Sequence, residues 1–363
     1  MKKNALVASA ICVLWLGLAA VAWLSPPKTH SNTERRELQQ FPELSGESIL
    51  SGEFMEDFES FSLDQFPLRD NFRTLKALFH YNLLGQRDNN GIYLSQGHAA
   101  QLDYPLNEAS VDHALQVMGR IHDRYLQNSR VFLSVVPDKG YYLAEREGYP
   151  AMNYSELFEK MQKGMPYASY VNLTDCLTAD DYYKTDTHWR QEKLIPEAQR
   201  LCDTMGTPGP SQQELRPVAA QRPFYGVYYG QAALPLEPDT LYTMESDLLS
   251  QCRVYNYETG SYGSVYDLSK LEGKDMYEVF LSGSVSMLTI ENPQATTERE
   301  LIVFRDSFGS SLAPLLVQGY KTVTLVDVRY ISSQMLDRFL DFNGQDVLFL
   351  YSTLVLNNAF MLK

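Results

Sequence analysis

The sequence is poor in cysteine, histidine and positive charge. Its 363 residues hold four cysteines and six histidines, and 31 lysines and arginines stand against 45 acidic residues, for a formal net charge of −14. No basic stripe is available to neutralise phosphates, which argues against nucleic acid as a partner. The cysteines lack C-x-x-C spacing: Cys12 sits in an apolar N-terminal run, and Cys176, Cys202 and Cys252 are scattered. That pattern argues against a structural metal site. Cys176 and Cys202 flank the loop around Asp186 and His188. Outside the cytoplasm they can pair and brace it; otherwise they are small buried apolar side chains. No low-complexity tract and no repeat of solenoid period is present, which excludes fibrous and repeat architectures. What remains is a globular chain, long enough for one large domain and a smaller appendage.

The N-terminus sets the compartment. Met1-Lys2-Lys3-Asn4 precedes an uncharged run over 5–24, followed by Ser25-Pro26-Pro27. About 20 apolar residues span a bilayer core as a helix. Lysines ahead of the run predict a cytoplasmic tip and an exported remainder. The run is longer than a usual signal-peptide core and lacks a clean A-x-A site, so an uncleaved single-pass anchor is expected over a cleaved signal. The expected organisation is a tip and transmembrane anchor over 1–27, a membrane-proximal linker and helical region over 28–90, and a main domain over 91–363.

Between 41 and 85 the pattern is helical, with Phe54, Phe58, Phe61, Phe72, Leu75, Phe79 and Leu83 at three- and four-residue spacing and Pro67 as the interruption. Asn89-Asn90-Gly91 predicts a turn. Helices follow over 107–127, 154–165 and 190–205, the last kinked or shortened by Pro196. Strands are predicted over 130–137 and 170–173. Residues 208–295, rich in glycine, proline and tyrosine, read as an irregular, strand-containing section carried on the main sheet. The C-terminal part alternates: strand 301–304, a helix starting near Leu312 and capped by Ser310 or Ser311, strand 322–326, helix 333–342, strand 347–351. That alternation predicts an α/β fold with a parallel, doubly wound sheet. Functional groups then belong at the strands' carboxyl ends, where Lys139, Ser307, Asp327 and Arg329 all fall.

Two stretches carry the chemistry. Tyr182-Tyr183-Lys184-Thr185-Asp186-Thr187-His188-Trp189 places a carboxylate two residues before an imidazole. Arg305-Asp306-Ser307-Phe308-Gly309 places a hydroxyl at a strand-to-helix turn. Hydroxyl, imidazole and carboxylate are the parts of a nucleophilic triad. Helix N-terminal N–H groups beside Ser307 would face a developing oxyanion. Each residue also has a plainer reading: Ser307 as an N-cap, His188 as a polar loop residue, the Asp-x-His pair as two metal ligands. No third histidine or cysteine lies at ligand spacing. The tyrosines of 208–295 suit stacking on sugar rings or packing within a strand-rich layer.

The two stretches together resemble a family. Tyr-Tyr-Lys-Thr-Asp-Thr-His-Trp is similar to the signature of the DHHW proteins and to the Asp-x-His-Trp motif of the alginate O-acetylation proteins AlgX and AlgJ, all of the SGNH-hydrolase-like group. The serine block, then Val326-Asp327-Val328-Arg329-Tyr330, resembles the same proteins, as does Asp64-Gln65-Phe66-Pro67-Leu68-Arg69-Asp70. The resemblance implies an SGNH-like α/β/α sandwich in which acid and base precede the serine. By position, Asp186 orients, His188 is the base and Ser307 is the nucleophile. Arg329 and Tyr330 lie beside the substrate, and Asn357 or Asn358 is the candidate oxyanion-hole amide. The sequence departs from the pattern at Thr187, where the DHHW signature has a second histidine, and at Arg305, where glycine usually precedes Asp-Ser. Arg305 predicts a crowded turn.

The function implied is an extracytoplasmic, membrane-anchored acyltransferase or esterase acting on O-acetyl groups of a cell-surface or exported polysaccharide. Its partners would be that polysaccharide and a membrane-bound acyl donor, and its chemistry calls for no metal or organic cofactor. The alternative is a non-catalytic envelope protein that binds glycan or an assembly partner in the same cleft.

Overall fold

The computed structural model describes residues 2–31 and 33–363, in two compact units. The first unit is the chain up to Asn90 together with Tyr229–Pro235; the second is Gly91–Tyr228 with Leu236–Lys363.

In the first unit, helix Lys2–Leu24 has a 22-residue apolar stretch of mean hydropathy 2.4, long and apolar enough to cross a membrane or serve as a signal. The helical pattern predicted over 41–85 is broken into Gly46–Ser51, Glu53–Asp64, Arg69–Leu78 and a π-helical turn, Phe79–Leu83. The breaks are conformational. Gly52 ends the first helix in the left-handed region at φ 86°, and Pro67 leads into Leu68 at φ 58°. The ring of Phe41 meets those of Phe54, Phe58 and Phe61 at 6.4, 6.0 and 5.3 Å, a small aromatic core for this unit. Buried Asp64 ties it down, accepting from Arg36 Nη1 (2.8 Å) and Gln39 N (2.9 Å).

The second unit is built on an eight-stranded sheet. Ala168–Tyr170, Arg130–Val136, Asp346–Ser352, Glu300–Arg305 and Thr322–Val326 lie side by side and parallel. Met287–Glu291, Arg253–Asn256 and Ser261–Gly263 then extend the sheet antiparallel. The sheet is therefore mixed. The irregular section adds strands to one edge, and hairpin-type connections within it can only pair antiparallel.

Along each central strand, alternate side chains enter two different cores, as the period of two demands. Val131, Leu133, Val135, Ile302, Phe304, Val347 and Phe349 pack with Val111, Ala114 and Met118 of helix Glu108–Tyr125 and with Leu157 and Met161 of helix Tyr154–Gly164. Phe132, Val136, Leu301, Val303, Leu348 and Leu350 pack with Ala198, Leu201 and Met205 of helix Ile195–Met205. Helices thus cover both faces in an α/β/α sandwich.

Several boundaries differ from the sequence reading. Pro196 sits in the first turn of helix Ile195–Met205, where its missing N–H costs nothing, so it starts the helix rather than kinking it. The segment predicted as helix 333–342 holds only a 3-10 stretch, Ser333–Arg338. The strand at the parallel edge of the sheet is Ala168–Tyr170, ending where the strand expected over 170–173 begins. All four cysteines are free, so Cys176 and Cys202 do not pair; burial pushes the Cys202 and Cys252 thiols up to about 11.

Candidate active site

Strand Glu300–Arg305 delivers Asp306 and Ser307 to its carboxyl end, and helix Phe308–Leu312 leaves from there. The helix starts three or four residues earlier than a Ser310 or Ser311 cap would have it. Ser307 itself occupies the N-cap position, and Asp306 supplies the cap: its Oδ1 accepts from Phe308 N at 3.0 Å, and its backbone O from Gly309 N at 3.1 Å. Asp306 Oδ2 accepts from Ser352 N (2.7 Å) at the end of the neighbouring strand. The first N–H groups of this helix, expected to face an oxyanion, are thus taken up by Asp306. This fully buried carboxylate braces the turn.

The loop from Tyr182 to Trp189 is a tight reversal. An isolated bridge joins those two residues, and Tyr183 N donates to His188 O (3.1 Å). Trp189 is fully buried and its Nε1 donates to Phe308 O (3.1 Å) and Ser311 Oγ (2.9 Å), which fastens the loop to the helix after Ser307. The result crosses 119 residues of chain. His188 Nε2 lies 2.7 Å from Ser307 Oγ, and His188 Nδ1 lies 2.6 Å from Asp186 Oδ1. Asp186 is fully buried. Its Oδ1 also accepts from His188 N (3.1 Å) and its Oδ2 from Val227 N (2.8 Å). Holding a carboxylate with backbone N–H groups fixes which edge it presents to the imidazole.

Four further groups shape the loop, and of these the sequence marks only Lys139, by its place at a strand's carboxyl end. The imidazole of His188 is stacked on Tyr277, centroids 3.8 Å apart and planes 9° apart. Tyr277 is itself held by a 2.8 Å hydrogen bond between its OH and Ser311 Oγ. Asp239 accepts from Lys184 N, Thr185 N and Thr185 Oγ1 at 2.7–2.8 Å. Gly226 passes so close that a Cβ there would stand 2.2 Å from Thr185 O and 2.3 Å from Asp186 Cβ. Gly226 N also donates to Thr185 Oγ1 (2.8 Å).

The fourth is Lys139, at the carboxyl end of strand Arg130–Val136. It is buried, and its Nζ donates to Tyr183 O (2.9 Å) and Lys184 O (3.2 Å). Burial pulls its pKa down to about 7, against the opposing pull of Asp186, Asp239 and Asp138. A neutral amine still has two protons, enough for both carbonyls.

Arg329 folds back on Asp327, with Nε–Oδ1 2.8 Å and Nη2–Oδ2 2.6 Å, and its guanidinium lies over the exposed ring of Tyr330. Burial opposes the Arg329 cation, but its bonds to Asp327 hold its pKa above the usual arginine range. Arg305 is fully buried and meets Asp327 at 3.7 Å, Val285 O at 3.5 Å and Asp306 O at 3.4 Å. Its aliphatic stem fills the space under Gly309, where a Cβ would stand 2.7 Å from Arg305 Cβ. The turn is accordingly packed close, and glycine at 309 is what accommodates the arginine. Asn357 and Asn358 do not serve an oxyanion. Asn357 latches Asn107 N (2.6 Å), Asp103 (3.0 Å) and Pro105 O (3.2 Å), and Asn358 donates to Leu354 O (3.1 Å).

Residues 153–326 match the DHHW protein family. The fold is similar to that of a DHHW family protein from Eubacterium siraeum DSM 15702, with a TM-score of 0.62 and 20% identity over 76% of this chain and 95% of that one. It is also similar to Bacillus cereus PatB1 with a sulfonyl adduct, at TM-score 0.57 and 16% identity over 73% and 95%. The O-acetyltransferase domain of Pseudomonas putida AlgJ stands further off, at TM-score 0.44 and 13% identity over 74% and 92%. Among curated proteins none matches the sequence. The layers are the α/β/α arrangement that the motif resemblance implies. Over residues 153–326, which hold Asp186, His188 and Ser307, the chain matches the DHHW family, and it shares the fold of a solved DHHW protein.

Proposed function

We propose that this chain is a serine-dependent acyl-transfer enzyme, membrane-anchored through helix Lys2–Leu24 with its second unit outside the cytoplasm, and that it moves or removes O-acetyl groups on a cell-surface or exported polysaccharide. The observation that carries the reading is the pair of short contacts, 2.7 and 2.6 Å, that run from Ser307 Oγ through both nitrogens of His188 to Asp186. The choice of acetyl ester and polysaccharide comes from the motif resemblance to the alginate O-acetylation proteins.

In this mechanism Ser307 Oγ attacks the acyl carbonyl as its proton passes to His188 Nε2. Asp186 holds the imidazolium through Nδ1–H. The tetrahedral intermediate collapses, His188 returns the proton to the leaving oxygen, and an acyl-serine remains. A sugar hydroxyl or water then attacks that ester, losing its proton to His188, and the acyl–Oγ bond breaks as His188 returns that proton to Ser307 Oγ. The Ser307 N–H is the oxyanion donor assigned here, since those of Phe308 and Gly309 are engaged by Asp306.

The test is covalent. A sulfonyl fluoride should add one sulfonyl group at Ser307 with loss of fluoride, and the chain should release acetate from a small acetyl ester. Ser307→Ala should abolish both while leaving the melting temperature unchanged. Labelling elsewhere, or none, with no ester turnover would favour a binding protein.

A further inference from the structure

In the first unit, helix Arg69–Leu78 and the turn Phe79–Leu83 that continues it have their polarity reversed. Their charged side faces the unit: Arg73 Nη2 meets Glu34 Oε1 at 3.2 Å and Gly230 O at 2.8 Å, Arg69 pairs with Glu34, and Ala77 is buried. Their apolar side faces out. Leu68, Phe72, Leu75, Phe79 and Leu83 are 66, 44, 62, 48 and 71% exposed. Steps of four, three, four and four residues put these on one face, a stripe about 20 Å long.

The chain path limits what can cover that stripe. Lys28 lies four residues beyond the end of helix Lys2–Leu24, and it is clamped to Gln65: Lys28 N donates to Gln65 Oε1 (2.8 Å), and Gln65 Nε2 donates to Lys28 O (2.9 Å). Gln65 is three residues before Leu68. At full extension the stripe therefore begins on the order of 30 Å from the end of the apolar helix, and the chain is too short to carry it further. The face has aliphatic and phenyl groups without the Trp, Tyr and Arg anchors that mark protein hot spots. Exposed Lys76 and Lys28 beside it suit anionic headgroups.

We propose that residues 68–83 lie in the membrane surface as an interfacial helix, with the Leu68–Leu83 stripe in the headgroup–acyl boundary of the leaflet where helix Lys2–Leu24 emerges. The inference rests on the reading of that helix as a membrane anchor. The occupant is lipid, and a partner protein on the stripe is the competing outcome.

The full chain, with Cys12→Ser and Cys176→Ala to remove the accessible thiols, is placed in nanodiscs of phosphatidylcholine and phosphatidylglycerol with no protein besides the cysteine-free scaffold belt. Nitroxide is attached at Phe72→Cys, at Leu75→Cys and, as an aqueous control, at Glu59→Cys; far-UV circular dichroism checks each chain's fold. Collision with oxygen should exceed collision with a nickel chelate at 72 and 75, and the order should reverse at 59. Nickel-dominated collision at 72 and 75 in chains that stay with the discs overturns the lipid contact. Chains that leave the discs overturn the anchor reading itself, and this inference with it.

Discussion

The imidazole of His188 lies flat on the phenol of Tyr277, 3.8 Å between centroids and 9° between planes. A stacked platform fixes the ring's plane, and the bond to Asp186 fixes its rotation within that plane. Tyr277→Ala should therefore lower kcat by about 10- to 100-fold, since small misplacements of a proton-transfer group are costly, with little change in KM. Tyr277→Phe keeps the stack and loses only the Ser311 bond. It should stay within a few-fold of the parent in turnover and lose about 1 kcal/mol of stability by denaturant titration.

Asp186 presents one oxygen to His188 and the other to Val227 N. Asp186→Asn preserves the shape but offers an N–H where an acceptor is needed. Turnover of an acetyl ester should fall on the order of 10³- to 10⁴-fold, through the wrong imidazole tautomer. Sulfonyl labelling of Ser307 should slow in parallel, which would separate loss of base from loss of substrate binding.

Gly226 needs no special φ, so its substitution is a question of space alone. A methyl group at 226 would stand 2.2 Å from Thr185 O. Gly226→Ala should destabilise the chain by about 1–3 kcal/mol, the usual cost of overpacking. Its activity loss should exceed what unfolding explains, because the displaced loop carries Asp186.

Lys139 gives a pH dependence of defined sign. Its folded pKa of about 7 lies below the ordinary 10.5, so between those values the unfolded chain binds more protons. Its contribution to stability should rise with pH from about 7 to about 10 and flatten below 7. Lys139→Met should lose that slope, read as the difference in denaturation midpoint between pH 7 and pH 9.5. It should also lower kcat at every pH, because both loop carbonyls lose their donor.

The parallel core was legible because buried strands need continuous apolar runs, and 131–136, 301–304, 322–326 and 347–351 are such runs. Asp186, His188 and Ser307 stood out by side-chain chemistry and motif. Lys139 stood out only by its place at a strand's carboxyl end, and Tyr277, Asp239 and Gly226 did not stand out. They act through a desolvated amine, a ring face, a backbone bond and an empty volume, none of which leaves a period or spacing. The error at the serine turn has a similar origin. Ser307, Ser310 and Ser311 are equal caps by propensity, and what decides between them is Asp306, which satisfies the first N–H groups and starts the helix at Phe308.

The grip of Val227 N and Asp239 on the acid loop has a practical corollary for protein engineers. Transplanting the octapeptide 182–189 into another sandwich would carry over the letters of the motif without the scaffolding that orients them. A functional graft has to bring the stretch around 226–239 along with it.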